Sequence, residues 1–146
     1  MRFTQVLIFI SALLVMQFGL ISCTSDVPYE EWDGWASLSK EQQAFFAAFY
    51  SDSVFQKGHV LFPLESQWIE EDNNTLTEIV RIDHVNREDY SFLDLTDGSY
   101  YGEFIDINYN DFQLLLRQVD TGVYVIFEFA NIGGSWLMTK VNDSST

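Results

Sequence analysis

One histidine and one carboxylate of this sequence are placed where acid–base chemistry is conceivable. His84 lies in a β-branched segment, on the predicted face of Val80, and Glu128 lies beside Ile126 in a second predicted strand. A carboxylate or imidazole that is buried in a pocket has a shifted pKa and can transfer protons near neutral pH. His84 and Glu128 are therefore candidate catalytic residues. The alternative for each is an exposed or hydrogen-bonded polar side chain, because a shift of one residue in register reverses the face.

Weaker candidates for contact with a ligand are Tyr101 and Tyr124, which lie in predicted strands, and His59, which follows a predicted helix end. Recognised catalytic signatures are absent from the sequence, including the nucleophile elbow, the phosphate loop, the zinc-protease motif and the dinucleotide fingerprint. We therefore predict no cofactor. Whether the chain is an enzyme stays open, and the balance favours a protein that is not one.

A candidate metal site is the segment DINYND, which places side-chain oxygens at Asp106, Asn108 and Asn110 in the first, third and fifth positions of a calcium loop. An EF-hand loop would then need glycine in place of Asp111 and glutamate in place of Arg117. Both requirements fail. The choice is between a looser calcium site and an acidic, Asn-rich loop that simply turns the chain.

The N-terminus has the order of a secretory signal peptide. Arg2 precedes an apolar run, and small or branched residues lead from that run to Cys23, the single cysteine of the chain. The stretch 3–22 is also close to the ~20 residues that a membrane-spanning helix needs, so an uncleaved anchor is the alternative.

Residues 20–23, Leu-Ile-Ser-Cys, resemble the lipobox of bacterial lipoproteins. The resemblance implies cleavage before Cys23 and attachment of diacylglycerol and a further fatty acid such as palmitate. Several acyl chains would hold the protein on a membrane firmly, because each buried methylene contributes about 0.8 kcal/mol. Thr24 follows the cysteine, where some inner-membrane lipoproteins carry aspartate. The prediction is therefore an outer-membrane lipid anchor, with the domain facing either the periplasm or the cell surface.

The charge of the chain restricts its partners. There are 22 acidic and seven basic residues, for a formal net charge of −15. Nucleic acids and anionic lipid surfaces select for lysine and arginine, so we expect neither as a partner. The remaining candidates are an unknown protein, a small-molecule ligand and a second copy of the chain, besides the membrane that Cys23 would reach through its lipid.

The chain divides into a signal peptide (1–22), a lipidated tether (23–37) and a single α+β domain (38–143). The tether is acidic and aperiodic, but Trp32 and Trp35 are expected to dock on the domain rather than stay free. The isolated cysteine excludes an intramolecular disulfide.

The segment that begins at Ser39 predicts the clearest helix of the domain. Ser39 and Gln42 have the spacing of a capping box, and an aromatic stripe follows at helical intervals. Ser51 or Ser53 is expected to cap a second, short helix that Gly58 ends, and a turn is expected at Pro63.

Strand patterns occupy the rest of the chain. They predict a hairpin over 67–85, a strand over 101–107 and a three-stranded meander over 111–141. Helices followed by a run of strands define the α+β class, with the helices covering one face of a curved antiparallel sheet.

Two motifs resemble a family of bacterial lipoproteins without an assigned reaction: FFAAFYSDSVFQ (45–56) and VLFPL (60–64). The terminal GGSWLMTKV (133–141) is similar to the last strand of the nuclear transport factor two fold, also called cystatin-like. The resemblance implies a cone of sheet wrapped on helices, with a cavity at its wide end. That fold hosts binding modules, isomerase-like or dehydratase-like enzymes and dimerising structural subunits, so it implies no single function. We expect a membrane-anchored binding or protein-interaction module, with the small enzyme and the dimerising subunit as alternatives.

Overall fold

A computed structural model describes residues 28–72, 77–95, 100–118 and 120–145. The predicted signal peptide and Cys23 lie outside the described residues, as do the lipid anchor and cleavage site inferred from them. Within the described residues, none of the helices has the length and apolar character that crossing a membrane requires.

Two helices precede the sheet. Helix α1 spans Lys40–Ser51 and begins with the predicted capping box, in which the Ser39 and Gln42 side chains each accept a backbone N–H of the other residue. Helix α2 spans Ser53–Gly58. Its cap is Asp52, whose carboxylate accepts the N–H groups of Val54 and Phe55. The expectation that Ser51 or Ser53 caps this helix is therefore wrong. Aspartate is as good a cap as serine, and Asp52 stands at the position before the first helical residue.

Six strands form one sheet, in the order β2-β1-β6-β5-β4-β3. The hairpin 67–85 and the C-terminal meander are confirmed, and the meander extends to β3 as a fourth strand. The β5–β6 turn contains Gly133 and Gly134, both with positive φ. The strands are β1 (Val60–Asp72), β2 (Thr77–Val85), β3 (Tyr100–Ile105), β4 (Asp111–Gln118), β5 (Tyr124–Ile132) and β6 (Ser135–Asp143).

The sheet is mixed rather than wholly antiparallel. Strand β1 pairs with the last strand, β6, in parallel, and this pairing joins the hairpin to the meander. The register shifts between Val60 and Glu65, and Pro63 lies inside this irregular stretch of β1 with a cis peptide bond before it. The predicted turn at Pro63 is therefore wrong. Proline lacks an N–H, and it fits at such a bulge without ending the strand.

The core lies between α1 and one face of the sheet, which we call the inner face. Phe46 of α1 meets Phe104 of β3 edge-on at 5.0 Å, and Phe49 meets Phe129 of β5 at 5.3 Å. Phe129 also stacks on Phe112 of β4 at 4.8 Å. Such ring pairs add about 0.5–1.5 kcal/mol each beyond their area burial. Aromatic side chains therefore fill much of the space between helix and sheet.

The described part of the predicted tether packs on the domain in two short 3₁₀ helices, Pro28–Glu31 and Trp35–Ser37. Tyr29 and Trp32 are buried in the core, and the expected docking of Trp32 is what the structure shows. Packing accordingly begins before residue 38, the expected start of the domain. The segment 86–90 forms a turn and contains no helix.

Candidate functional site

The second face of the sheet, which we call the outer face, lies opposite α1. The alternation predicted for β5 is found, with Phe127 and Phe129 on one face and Ile126 and Glu128 on the other. Phe127 and Phe129 belong to the core, so theirs is the inner face and Glu128 lies on the outer face. The register then aligns outer-face residues of neighbouring strands in rows that cross the sheet.

One of these rows is polar and extends across five strands. We call it the charged row, and its members in spatial order are His84, Glu65, Lys140, Glu128 and Gln113.

Hydrogen bonds hold two of the carboxylates of the charged row, Glu65 and Glu128. Lys140 Nζ lies 2.9 Å from Glu65 Oε1, and Asn142 Nδ2 donates to Glu128 Oε1 at 2.7 Å. The Lys140 hydrogen bond is the largest cause that lowers the pKa of the Glu65 carboxyl below its ordinary value, and the charge of His84 adds to it. Cations and carboxylates that satisfy each other in this way define a fixed pattern of charge on the surface.

Beside the charged row, the outer face carries an apolar corner made of Ile69, Val80 and Ile82. Val80 is 61% exposed and Ile82 is 55% exposed. Ile69 pairs directly with Val80 across the β1–β2 hairpin, so these side chains are contiguous. Large aliphatic side chains that remain exposed together are typical of a surface that contacts another molecule.

A third feature of the outer face surrounds Tyr101, a predicted ligand contact. Its hydroxyl donates to Asp33, and this hydrogen bond is the main reason that the Tyr101 pKa is raised. Arg117 Cζ lies 5.4 Å from the centre of the Tyr101 ring, and Nη2 of the same guanidinium donates to the Glu103 carboxylate at 3.1 Å. Tyr124, another predicted contact, is the partner of Arg117 across the β4–β5 ladder. The strand register therefore places Tyr101 and Tyr124 on either side of Arg117.

The inner face holds a cavity of about 240 Å³ where a pocket of the expected cone would lie. It opens between the sheet residues Leu116 and Val125 and the segment 92–95, and its walls are mostly apolar. Neither candidate catalytic residue lines it. His84 is exposed on the edge strand β2, and Glu128 is half-buried on the outer face. Both residues have the strand parity of the outer face, so the structure places neither side chain at this cavity, and their catalytic role stays a prediction.

His59 has a structural environment. Its ring stacks on Phe55 at 3.8 Å, and its Nδ1 lies 2.8 Å from the Phe55 carbonyl oxygen. Its own carbonyl accepts the backbone N–H of Met138 at 2.8 Å, which ties the end of α2 to β6. These contacts give His59 a role in packing, and its role as a ligand contact stays a prediction.

The candidate metal loop is organised by its own hydrogen bonds. Asn108 Oδ1 accepts the N–H groups of Asn110 and Asp111 at 2.9 and 3.1 Å, and Asn108 Nδ2 donates to the Asp111 carboxylate. Asp106 is exposed and has a positive φ. No cluster of three or more His, Cys, Asp or Glu side chains suited to a metal occurs within the described ranges. The calcium site stays a prediction, and the loop geometry is that of an Asx turn.

Sequence reasoning missed three polar residues near the segment that follows β2: Gln56, Lys57 and Arg87. Gln56 is buried, and its amide fixes the segment that follows β2. Lys57 and Arg87 line a separate pocket with that segment. Their convergence depends on contacts between residues that are distant in sequence, so local patterns gave no signal for it.

Two solved structures share this fold. A crystal structure of an NTF2-like protein from Bacteroides fragilis matches with a TM-score of 0.51 and 20% sequence identity, over 70% of this chain and 46% of that one. A crystal structure of a cystatin-like protein from Bacteroides caccae matches with a TM-score of 0.52 and 17% identity, over 69% and 74% of the two chains. The chain thus spans less than half of the B. fragilis protein.

At these identities the likeness shows the fold alone. The mixed sheet of six strands with a few short helices is NTF2-like, or cystatin-like, as the sequence resemblance implied. No protein-family model and no curated protein matches the sequence.

Proposed function

We propose that this chain is an exported lipoprotein that is anchored through Cys23 in the outer membrane and that binds a protein partner on the outer face of its sheet. The observation that carries the binding role is the apolar corner next to the charged row. The corner supplies an apolar contact, and the row supplies a pattern of charge that selects the partner.

The inner side of the domain supports a binding role over a catalytic one. Within the described residues, Gln42 and Gln56 are the buried polar side chains, and both are held by hydrogen bonds to the backbone. In a cone of sheet that encloses α1, an active site would be expected in the interior, between the helix and the sheet. An enzyme in it would have to use groups such as Asp94 or Tyr100 at the inner cavity rather than His84 or Glu128.

The edge of the sheet favours contact through the face. Strand β2 is an edge strand of the sheet, and its exposed residues include Glu78, Arg81 and Asp83. Charged side chains on an edge oppose the addition of another strand. A partner is therefore expected to lie across the outer face, and the net charge of −15 favours a partner with a basic rim.

A symmetric dimer is the second candidate, because the same apolar corner can meet its own copy. Isologous packing would place the corner of one copy against that of the other. The large negative charge of the chain opposes this arrangement and favours a partner of opposite charge.

Site-specific photo-cross-linking in intact cells tests the binding proposal. A photoreactive residue at Val80 or Tyr124 is expected to give an adduct with one partner protein. The same residue at Ala44, which is exposed on α1, should give none. An adduct of twice the mass of the chain would support the dimer. Equal yields of adduct from Val80, Tyr124 and Ala44 would contradict the claim that the partner binds the outer face.

The anchor has its own test. Cells fed a clickable analogue of palmitate should label the protein, and Cys23→Ser should abolish the label and release the protein from the outer-membrane fraction. Labelling that persists in the Cys23→Ser variant would contradict lipidation at this residue. Retention of unlabelled protein in the membrane would favour the uncleaved helix.

A further inference from the structure

Two cations of this acidic protein stand apart from the others. Lys and Arg number six after Arg2, and three of these, Arg81, Arg117 and Lys140, form ion pairs. Lys40 donates to Gln43. The side chains of the remaining two, Lys57 of α2 and Arg87 of the turn after β2, form no ion pair or hydrogen bond with another described residue.

Lys57 and Arg87 line the same pocket, which has a volume of about 310 Å³. The other lining residues are Ser53, Val54, Tyr90 and Phe92, so the part of the pocket that the structure describes contains two cations and no acid. This volume is at the lower end of the range for small-molecule sites, about 300–1,000 Å³.

The pocket also has apolar walls that are open to solvent. Val54 is 80% exposed and Phe92 is 40% exposed. The Arg87 guanidinium lies over the ring of Phe62, with Cζ 5.8 Å from its centre, which orients the cation without neutralising it. Apolar surface beside an uncompensated positive charge is complementary to a molecule that carries both an apolar body and an anionic group.

A buried glutamine holds the two sides of this pocket together. Gln56 Oε1 accepts the Tyr90 hydroxyl and the Leu93 N–H, both at 2.8 Å, and Gln56 Nε2 donates to the Phe49 and Leu93 carbonyls. These bonds join α1 and α2 to the segment 90–93. The pocket is therefore formed in the free protein, which lowers the entropic cost of binding.

We propose that this pocket binds a small monocarboxylate with an aromatic or aliphatic body. Lys57 and Arg87 bind the carboxylate, and Val54 and Phe92 cover the apolar part of the ligand. A single negative charge is favoured over a phosphate, because the net charge of −15 repels a multiply charged anion more strongly. The acids nearest in sequence, Glu88 and Asp89, lie outside the pocket lining, and the carboxylate of Asp52 is used as a helix cap.

The test uses the full chain in a neutral detergent and a pair of probes that differ in charge, phenylbutyrate and phenylbutylamine. Amide NMR spectra report where each probe binds. Phenylbutyrate is expected to shift the signals of Lys57, Arg87 and Phe92 saturably, and phenylbutylamine should not. The double variant Lys57→Gln with Arg87→Gln should weaken the binding of phenylbutyrate by about tenfold, since two ion pairs with its carboxylate are lost.

The variant Lys40→Gln removes a cation elsewhere and should leave the affinity unchanged within about twofold. Three outcomes would overturn the proposal. The amine could shift the same signals with equal affinity, the double variant could bind as well as the natural chain, or the carboxylate could produce no saturable shift at the pocket. Arg87 is exposed and Lys57 is half-buried, and spectra with the dispersion of the natural chain would verify that the double variant is folded.

Discussion

The Lys140 ammonium lies 2.9 Å from the Glu65 carboxylate, across the parallel pairing of β6 with β1. The hydrogen bond stabilises the ionised carboxylate and lowers the Glu65 pKa. A depressed pKa contributes stability above the unfolded-state value, and this stability is lost as the pH falls through the folded-state value. An NMR titration of the side-chain carboxyl should therefore find Glu65 below its ordinary pKa. Lys140→Gln should raise the Glu65 pKa, and Lys40→Gln should not. An unchanged Glu65 pKa in Lys140→Gln would show that the Lys140 hydrogen bond is not what lowers it.

Replacement of Gln56 by leucine should destabilise the domain strongly. The substitution keeps the volume but removes the bonding partners of Phe49, Tyr90 and Leu93. Buried groups that lose their partners cost about 1–3 kcal/mol each, so we expect a loss of about 3 kcal/mol, measured by denaturant unfolding. Gln43→Leu is the control, since the Gln43 side chain is half-buried and its hydrogen bonds to described residues are those with the Trp35 carbonyl and the Lys40 ammonium. Equal losses in both variants would contradict the special role of Gln56.

Tyr90 should make the domain sensitive to alkaline pH. Burial raises the pKa of its hydroxyl well above the ordinary value of 10.0. A raised folded-state pKa gives stability that is complete below the unfolded-state value and decreases as the pH rises beyond it. Tyr90→Phe should therefore reduce the alkaline decline of the thermal midpoint. Tyr109→Phe, at a side chain that is 90% exposed, should leave the alkaline decline of the thermal midpoint unchanged. An unchanged decline in Tyr90→Phe would show that Tyr90 is not its cause.

Gly102 of β3 permits the N-terminal segment to dock. A Cβ at this position would overlap the indole ring of Trp32, which is buried in the core. Gly102→Ala should therefore displace Trp32, cost about 1–3 kcal/mol and shift the tryptophan fluorescence to longer wavelength. Gly58→Ala is the matched control, because a Cβ there meets nothing within 4 Å. Unchanged fluorescence in Gly102→Ala would show that Trp32 is not packed on β3.

Local signals predicted most elements of the fold. The capping box at Ser39 and the alternation in β5 depend on residues that are close in sequence, and both are found as expected. The parallel pairing of β1 with β6 was not predicted, since it joins segments at opposite ends of the domain. The turn predicted at Pro63 is wrong for a related reason. The bulge that accommodates this proline arises from the register of β1 against β6, which lies far away in sequence.

The candidate site was predicted less well than the fold. Strand parity placed Glu128 correctly beside Ile126, but the sequence did not tell which face the helices cover. That choice is made by α1, whose aromatic stripe packs on Phe104 and Phe129. The alignment of Glu65, Lys140 and Glu128 depends on the order of the strands, which no local pattern encodes.

The central claim is that the outer face binds a protein partner, and charge substitution in its apolar corner combined with cross-linking tests it most directly. A photoreactive residue at Tyr124 reports the adduct in intact cells, while Val80→Glu and Ile82→Glu are introduced together. Two buried aliphatic contacts contribute about 1.5–3 kcal/mol each, so the yield of adduct at limiting partner should fall by at least about tenfold. Val54→Glu, on α2, should leave the yield unchanged. An adduct that survives both outer-face substitutions at full yield would contradict the account.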